Sequence, residues 1–181
     1  MNIFGHATYV GDSGYNSHCK NFFRNLNKYH DIKIRNFTVS SDWNGINGNH
    51  ENPHGKNIDN LDKEMIILQT LWTNQKELQD FPIHGYKKGT FKHDLNIILA
   101  ETNHYYFYHK YDGLKIAYFV WESTEIYDPF FQKLKEFDQI WVPTKWQADC
   151  LVAQGMQKNK VKIVPEGVDS SVYYPENLEN E

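Results

Sequence analysis

The sequence predicts an α/β fold: a doubly wound, mostly parallel sheet with helices on both faces. Three observations lead there. Apolar runs at residues 95–100, 114–120, 140–142 and 161–164 are short and unalternated, as in strands buried on both sides. Between and before them lie apolar residues at helical spacing: Cys19, Phe22, Phe23 and Leu26, then Phe130, Phe131, Leu134 and Phe137. The stretch 137–164 reads as strand, helix, strand, a length that suits a parallel pair joined by a right-handed crossover.

Taken in order, Asn2-Ile3-Phe4-Gly5 opens a strand that runs into the loop Gly11-Asp12-Ser13-Gly14. A helix is expected from about Tyr15 to Tyr29, with Asp12 or Ser13 as its cap. A glycine-bearing loop before a helix N-terminus lets a ligand approach the backbone and offers free N–H groups to an anion. Residues 32–37 alternate as a second strand, Ile32 and Ile34 against Lys33 and Arg35. Residues 40–60 are rich in Asn, Gly, His and Ser and read as a long surface loop. His50 and His54 have metal-compatible spacing there, but Pro53 and Gly55 argue against a helix to present them, so no metal site is expected.

Residues 61–79 read as helix, with Leu61, Met65, Leu68 and Trp72 on one face, before Pro82, Gly85 and Gly89 break the chain. The strand at 95–100 ends in Glu101-Thr102-Asn103-His104, which leads to a short aromatic helix at 105–111. The strand at 114–120 ends in Trp121-Glu122-Ser123-Thr124, and Asp128 is placed to cap the next helix. Ile140, Trp141 and Val142 form a strand closed by Pro143. Thr144 is an N-cap with Gln147 at capping-box spacing, Trp146, Cys150 and Ala153 are the expected buried face, and Gly155 ends the helix.

Composition sets limits. Apolar residues make up 40% and aromatics 15%, enough for a core in a chain of 181 residues, about one domain. A formal charge of -4 gives no electrostatic case for nucleic acid. The two cysteines, Cys19 and Cys150, fall on helix faces with apolar neighbours and read as buried free thiols, which fits a cytoplasmic compartment. The N-terminus lacks the pattern of a signal peptide, and no apolar window reaches transmembrane length; peripheral membrane contact stays open. The sequon Asn36-Phe37-Thr38 lies inside a predicted strand and reads as chance.

In open α/β sheets, ligands bind outside the carboxyl ends of the strands. Those ends carry Gly11, Asp12, Ser13 and Gly14 with Tyr15 behind them, Glu101 and His104, Trp121, Glu122 and Ser123, and Thr144. Trp121 can stack on a sugar or pack in the core. Glu122 and Ser123 can bind hydroxyls, and an unpaired carboxylate such as Glu122 is costly to bury. His104 either contacts an acceptor or caps the aromatic helix, and Thr144 is accounted for by capping.

The run FDQIWVPTKWQADCLVAQGM, followed by KVKIVPEGVDSSVYYP, resembles the end of the N-terminal domain of GT-B glycosyltransferases, in particular family 4. Pro165-Glu166-Gly167-Val168-Asp169 and Tyr174-Pro175 match that family's turn and exit, with Glu166 where Asn is more usual. The resemblance implies a Rossmann-like acceptor-side domain over 1–168, with 169–181 beginning a linker to a second, nucleotide-sugar-binding domain that lies outside this chain. It implies transfer of a sugar from a UDP- or GDP-sugar to a carbohydrate or glycoconjugate acceptor, with retention and without a metal or other cofactor. It also implies that the glycine-bearing loop and the Trp-Glu-Ser segment face the cleft, while the histidine that many relatives carry after the fourth strand is replaced by Ala100-Glu101. The chain alone is then expected to be inactive. A non-catalytic binding domain on the same fold, or part of a sugar-nucleotide epimerase, are the alternatives. A nicotinamide-dependent oxidoreductase is disfavoured because G-x-G-x-x-G is absent.

Overall fold

The alternation of buried strands and amphipathic helices resolves into one sheet. In the computed structural model, the residues described are 1–9, 14–38, 65–71, 92–100, 105 and 113–174. The strands are β1 (Asn2–Ala7), β2 (Asp31–Thr38), β3 (Ile66–Leu71), β4 (Leu95–Leu99), β5 (Leu114–Tyr118), β6 (Gln139–Val142) and β7 (Val161–Ile163). The helices described are α1 (Gly14–Asn27), α2 (Asp128–Lys135) and α3 (Lys145–Ala153), with a 3-10 turn at Lys158–Lys160. The sheet has seven strands in the order β3-β2-β1-β4-β5-β6-β7, and every neighbouring pair is parallel. Ile3 of β1 stands opposite Ile32 of β2 on one side and Leu95 of β4 on the other. The direction of winding reverses between β1 and β4, the switch point of a Rossmann-like fold.

Strand side chains alternate between two cores. On one face, Cys19 and Phe23 of α1 pack with Ile3, Ile97, Ile116 and Tyr118. On the other, Phe131 and Leu134 of α2 and Leu151 of α3 pack with Phe4, Ile98, Ala117 and Ile140. All five residues of β4 are buried, which is why that run shows no alternation in sequence. At Gly5, a Cβ would lie 2.6 Å from the Phe23 ring, so glycine is what lets α1 settle onto β1.

Four local expectations are corrected. Residues 66–71, expected within a helix, are the edge strand β3, paired with β2. Two consecutive isoleucines favour a strand there, and β2 has an edge for them to bond, so the helical spacing does not carry on through 66–71. Residues 61–64 and 72–79 lie outside the described residues, as do the 40–60 loop with His50 and His54, and 106–111 of the aromatic helix.

The buried face of α3 is Gln147 and Leu151, not Trp146, Cys150 and Ala153; Trp146 is 48% exposed. The helix is rotated by one residue from the apolar reading because the buried Gln147 amide is polar yet bonded. Asp128 is the first residue of α2 rather than its cap; Tyr127 holds the cap position without a side-chain bond, and Asp128 instead accepts from Gln132 Nε2 at 2.9 Å. In β2 the expected polar face is partly buried: Arg35 is 1% exposed, while Lys33 stays half-buried.

Other expectations are met. Thr144 Oγ1 accepts from the Gln147 backbone N–H at 3.2 Å, while the Gln147 side chain accepts from the Thr144 hydroxyl at 3.2 Å and donates to the Trp121 carbonyl at 3.0 Å. Gly155, at φ 104, ends α3 in a Schellman motif: Met156 N donates to Leu151 O at 2.9 Å and Gly155 N to Val152 O at 3.0 Å. Cys19 and Cys150 are free thiols, the first buried and the second half-buried. No helix among the described residues is long and apolar enough to cross a membrane.

Candidate active cleft at the switch point

The ends of β4 and β5 open onto a cleft of about 800 Å³. Its first wall is the N-terminal turn of α1, where Gly14, Tyr15 and His18 recur at helical spacing. Asn16, on the same turn, is buried and donates from Nδ2 to Thr8 O at 2.6 Å, tying the helix start to the exit of β1. The exit of β1 is tied in turn to β2, because Tyr9 N donates to Asn36 Oδ1 at 2.8 Å.

The second wall continues β5: Tyr118, then Trp121, Glu122 and Ser123. This segment has no regular structure, so its shape depends on side chains. Gln147 holds the Trp121 carbonyl, and the Trp121 indole N–H donates to Glu125 O at 2.8 Å. Trp121 lines the cleft and is partly buried against the core cluster that includes Phe119 and Phe131. Glu122 and Ser123 are exposed on the rim, which agrees with the argument that Glu122 would not be buried unpaired.

The third contribution comes from the exit of β7. Val164 N donates to Val142 O at 2.9 Å, and the Tyr118 hydroxyl donates to Val164 O at 2.8 Å. Two residues on, Glu166 reaches back across the cleft to His18, with Oε1 2.9 Å from Nδ1. His18 sits edge-on to the Tyr118 ring at 5.1 Å and stacks on Phe22 at 6.3 Å. Burial in this aromatic surround lowers the His18 pKa below its ordinary value, against the raising effect of the Glu166 charge and hydrogen bond. The same site pushes Tyr118 up to about 12, by burial first and the Glu166 charge second.

Of the residues singled out in sequence, Gly14, Tyr15, Trp121, Glu122 and Ser123 meet on this one cleft. Gly11, Asp12, Ser13, Glu101 and His104 lie outside the described residues; Leu99, at the end of β4, lines the cleft. Thr144 caps α3 and does not line it. His18 and Glu166 were not among the expected site residues. His18 lies three residues after Tyr15, on a face that attention to the apolar stripe passed over. Glu166 was marked only as a departure from a motif. Among the described residues, no group of three or more His, Cys, Asp or Glu side chains could hold a metal ion.

The chain matches no protein-family profile and no curated protein sequence.

Proposed function

We propose that this cleft is the acceptor side of a GT-B-type glycosyltransferase, which moves a sugar from a UDP- or GDP-sugar to a carbohydrate or glycoconjugate. The observation that carries this reading is the convergence of aromatic faces and carboxylates on one cleft at the switch point: Tyr15 and Trp121 beside Glu122, Ser123 and Glu166. Sugars present alternating apolar C–H faces and hydroxyl edges. Aromatic rings suit the first and acceptor oxygens the second. The resemblance of residues 137–175 to the end of a family 4 N-terminal domain supports the same reading.

In this reading the chain binds and orients the acceptor, while the nucleotide-sugar is held by a second domain. Much of the rate then comes from positioning the two substrates and from stabilising the leaving diphosphate, and the latter work belongs to that second domain. The resemblance implies retention of configuration and no metal or organic cofactor. The test is release of nucleoside diphosphate from a panel of UDP- and GDP-sugars, with and without sugar acceptors. The 181-residue chain alone is expected to release none. The product of a reading frame that also encodes such a second domain is expected to release it only with an acceptor. Sugar binding without any turnover by that product would instead support the non-catalytic binding domain.

A further inference from the structure

Of the described carboxylates lining the cleft, Glu166 is the one held by a side-chain partner. Its backbone segment is pinned at Val164 by β6 and by the Tyr118 hydroxyl, and its Oε1 is held by His18. The chemistry of that pair is constrained. The polar neighbour of the His18 ring is a carboxylate, which can only accept, so Nδ1 carries the hydrogen. The other ring nitrogen, Nε2, is buried and has no hydrogen-bond partner among the described residues. Protonating it would place an unsatisfied N–H among aromatic rings. His18 is therefore a neutral N–H donor to the Glu166 carboxylate.

The Glu166 side chain is 46% exposed on the cleft, and among the described residues His18 is its hydrogen-bond partner. A carboxylate has two oxygens with about four lone-pair positions, so one oxygen engaged by His18 leaves the rest to a ligand. Those positions accept only. They suit hydroxyl or amine hydrogens and repel phosphate.

We propose that Glu166 is a specificity residue of the cleft: oriented by His18, it accepts hydrogen bonds from neighbouring hydroxyls of a neutral sugar and keeps phosphate groups out of that end. His18 is the positioning residue. This inference rests on the sugar-acceptor reading above and deepens it.

The experiment measures binding of methyl glycosides of glucose, galactose, mannose and N-acetylglucosamine to the 181-residue chain by saturation-transfer NMR and calorimetry, with inorganic phosphate as the anionic probe. The wild type is expected to bind at least one glycoside and not phosphate. Glu166→Gln is expected to weaken that glycoside by roughly tenfold to a hundredfold, the range for a hydrogen bond to a charged group. His18→Phe should weaken it too, while His18→Gln, which restores an N–H donor, should recover much of the loss. Nitrogen-15 spectra of labelled histidine should show His18 protonated on Nδ1 in the wild type and not in Glu166→Ala. That signature reports orientation even if a variant is less stable. A glycoside weakened by Trp121→Ala but untouched by Glu166→Gln would overturn this inference and leave the functional reading standing. No glycoside binding by the folded wild type would overturn both.

Discussion

Gln154 and Ile126 bond to each other twice: the Gln154 amide donates to Ile126 O at 2.7 Å and accepts from Ile126 N at 2.9 Å. A side-chain amide here completes a backbone pairing that no strand supplies. It fastens the end of the rim segment to the last turn of α3, as Gln147 fastens its beginning. Gln154→Ala is expected to lose roughly 1–3 kcal/mol, because both backbone groups of Ile126 lose a partner. Gln154→Glu keeps the acceptor and loses the donor, and should fall between wild type and alanine near neutral pH. Urea denaturation of the three proteins would check the order.

The contact of Gly5 with Phe23 gives a second prediction. Gly5→Ala forces a methyl against a fully buried ring that lies 2.6 Å from the ideal Cβ position. A destabilisation of roughly 1–3 kcal/mol is expected from overpacking. Phe23→Leu should make the alanine less harmful, so a double-mutant cycle should show coupling between the two sites. Additive losses would mean that α1 moves away from β1 as a whole.

Acid should weaken the fold well before the carboxylates titrate. His6 is fully buried, and its pKa is held well below the ordinary histidine value by burial first and by the Arg35 charge second, with Asn96 opposing and His93 adding to the effect. His18 is lowered as well. A histidine lowered in the folded state takes up its proton more readily when unfolded, so stability rises with pH through this window. The stabilising effect is complete above about 6.5 and declines as the pH falls below it, by at most about 1.4 kcal/mol per pH unit for each histidine. His6→Gln should flatten the slope between pH 5 and 7 in urea titrations. An unchanged slope would mean that His6 is not the group responsible.

Tyr118→Phe isolates one anchor of the cleft. The ring packing against Phe22 and Trp141 is kept, and only the bond to Val164 O is lost. A stability loss of about 0.5–1.5 kcal/mol is expected. Hydrogen exchange at Val164 N, which bonds to β6, should quicken by more than exchange in β4. Equal acceleration in both would show a global effect rather than a loosened exit.

Much of the architecture could be read from the chain because burial on two faces leaves a plain mark: the runs of β4 and β5 have no polar face to confuse them. Thr144 and Gly155 were legible for a different reason, since capping chemistry is local and does not depend on what the helix packs against. The errors fall where a neighbour decided. Residues 66–71 became a strand because β2 offered an edge. The face of α3 was set by Gln147, whose burial depends on a carbonyl far away in sequence at Trp121. Arg35 looked solvent-facing because nothing local shows that the sheet is covered there. The site behaved the same way. Gly14 and Trp121 were accessible through the rule about strand ends, but His18 and Glu166 carry meaning only as a pair, and no spacing in the chain links them.

That pairing has a consequence for synthesis. One wall of the cleft is made soon after the first strand emerges and its counterpart only after β7, so a nascent chain or a fragment stopped before β7 would carry Gly14, His18 and Trp121 yet lack the Glu166 that meets His18. Ligand protection against a protease should therefore appear late in translation and all at once, as a report that the final strand has docked.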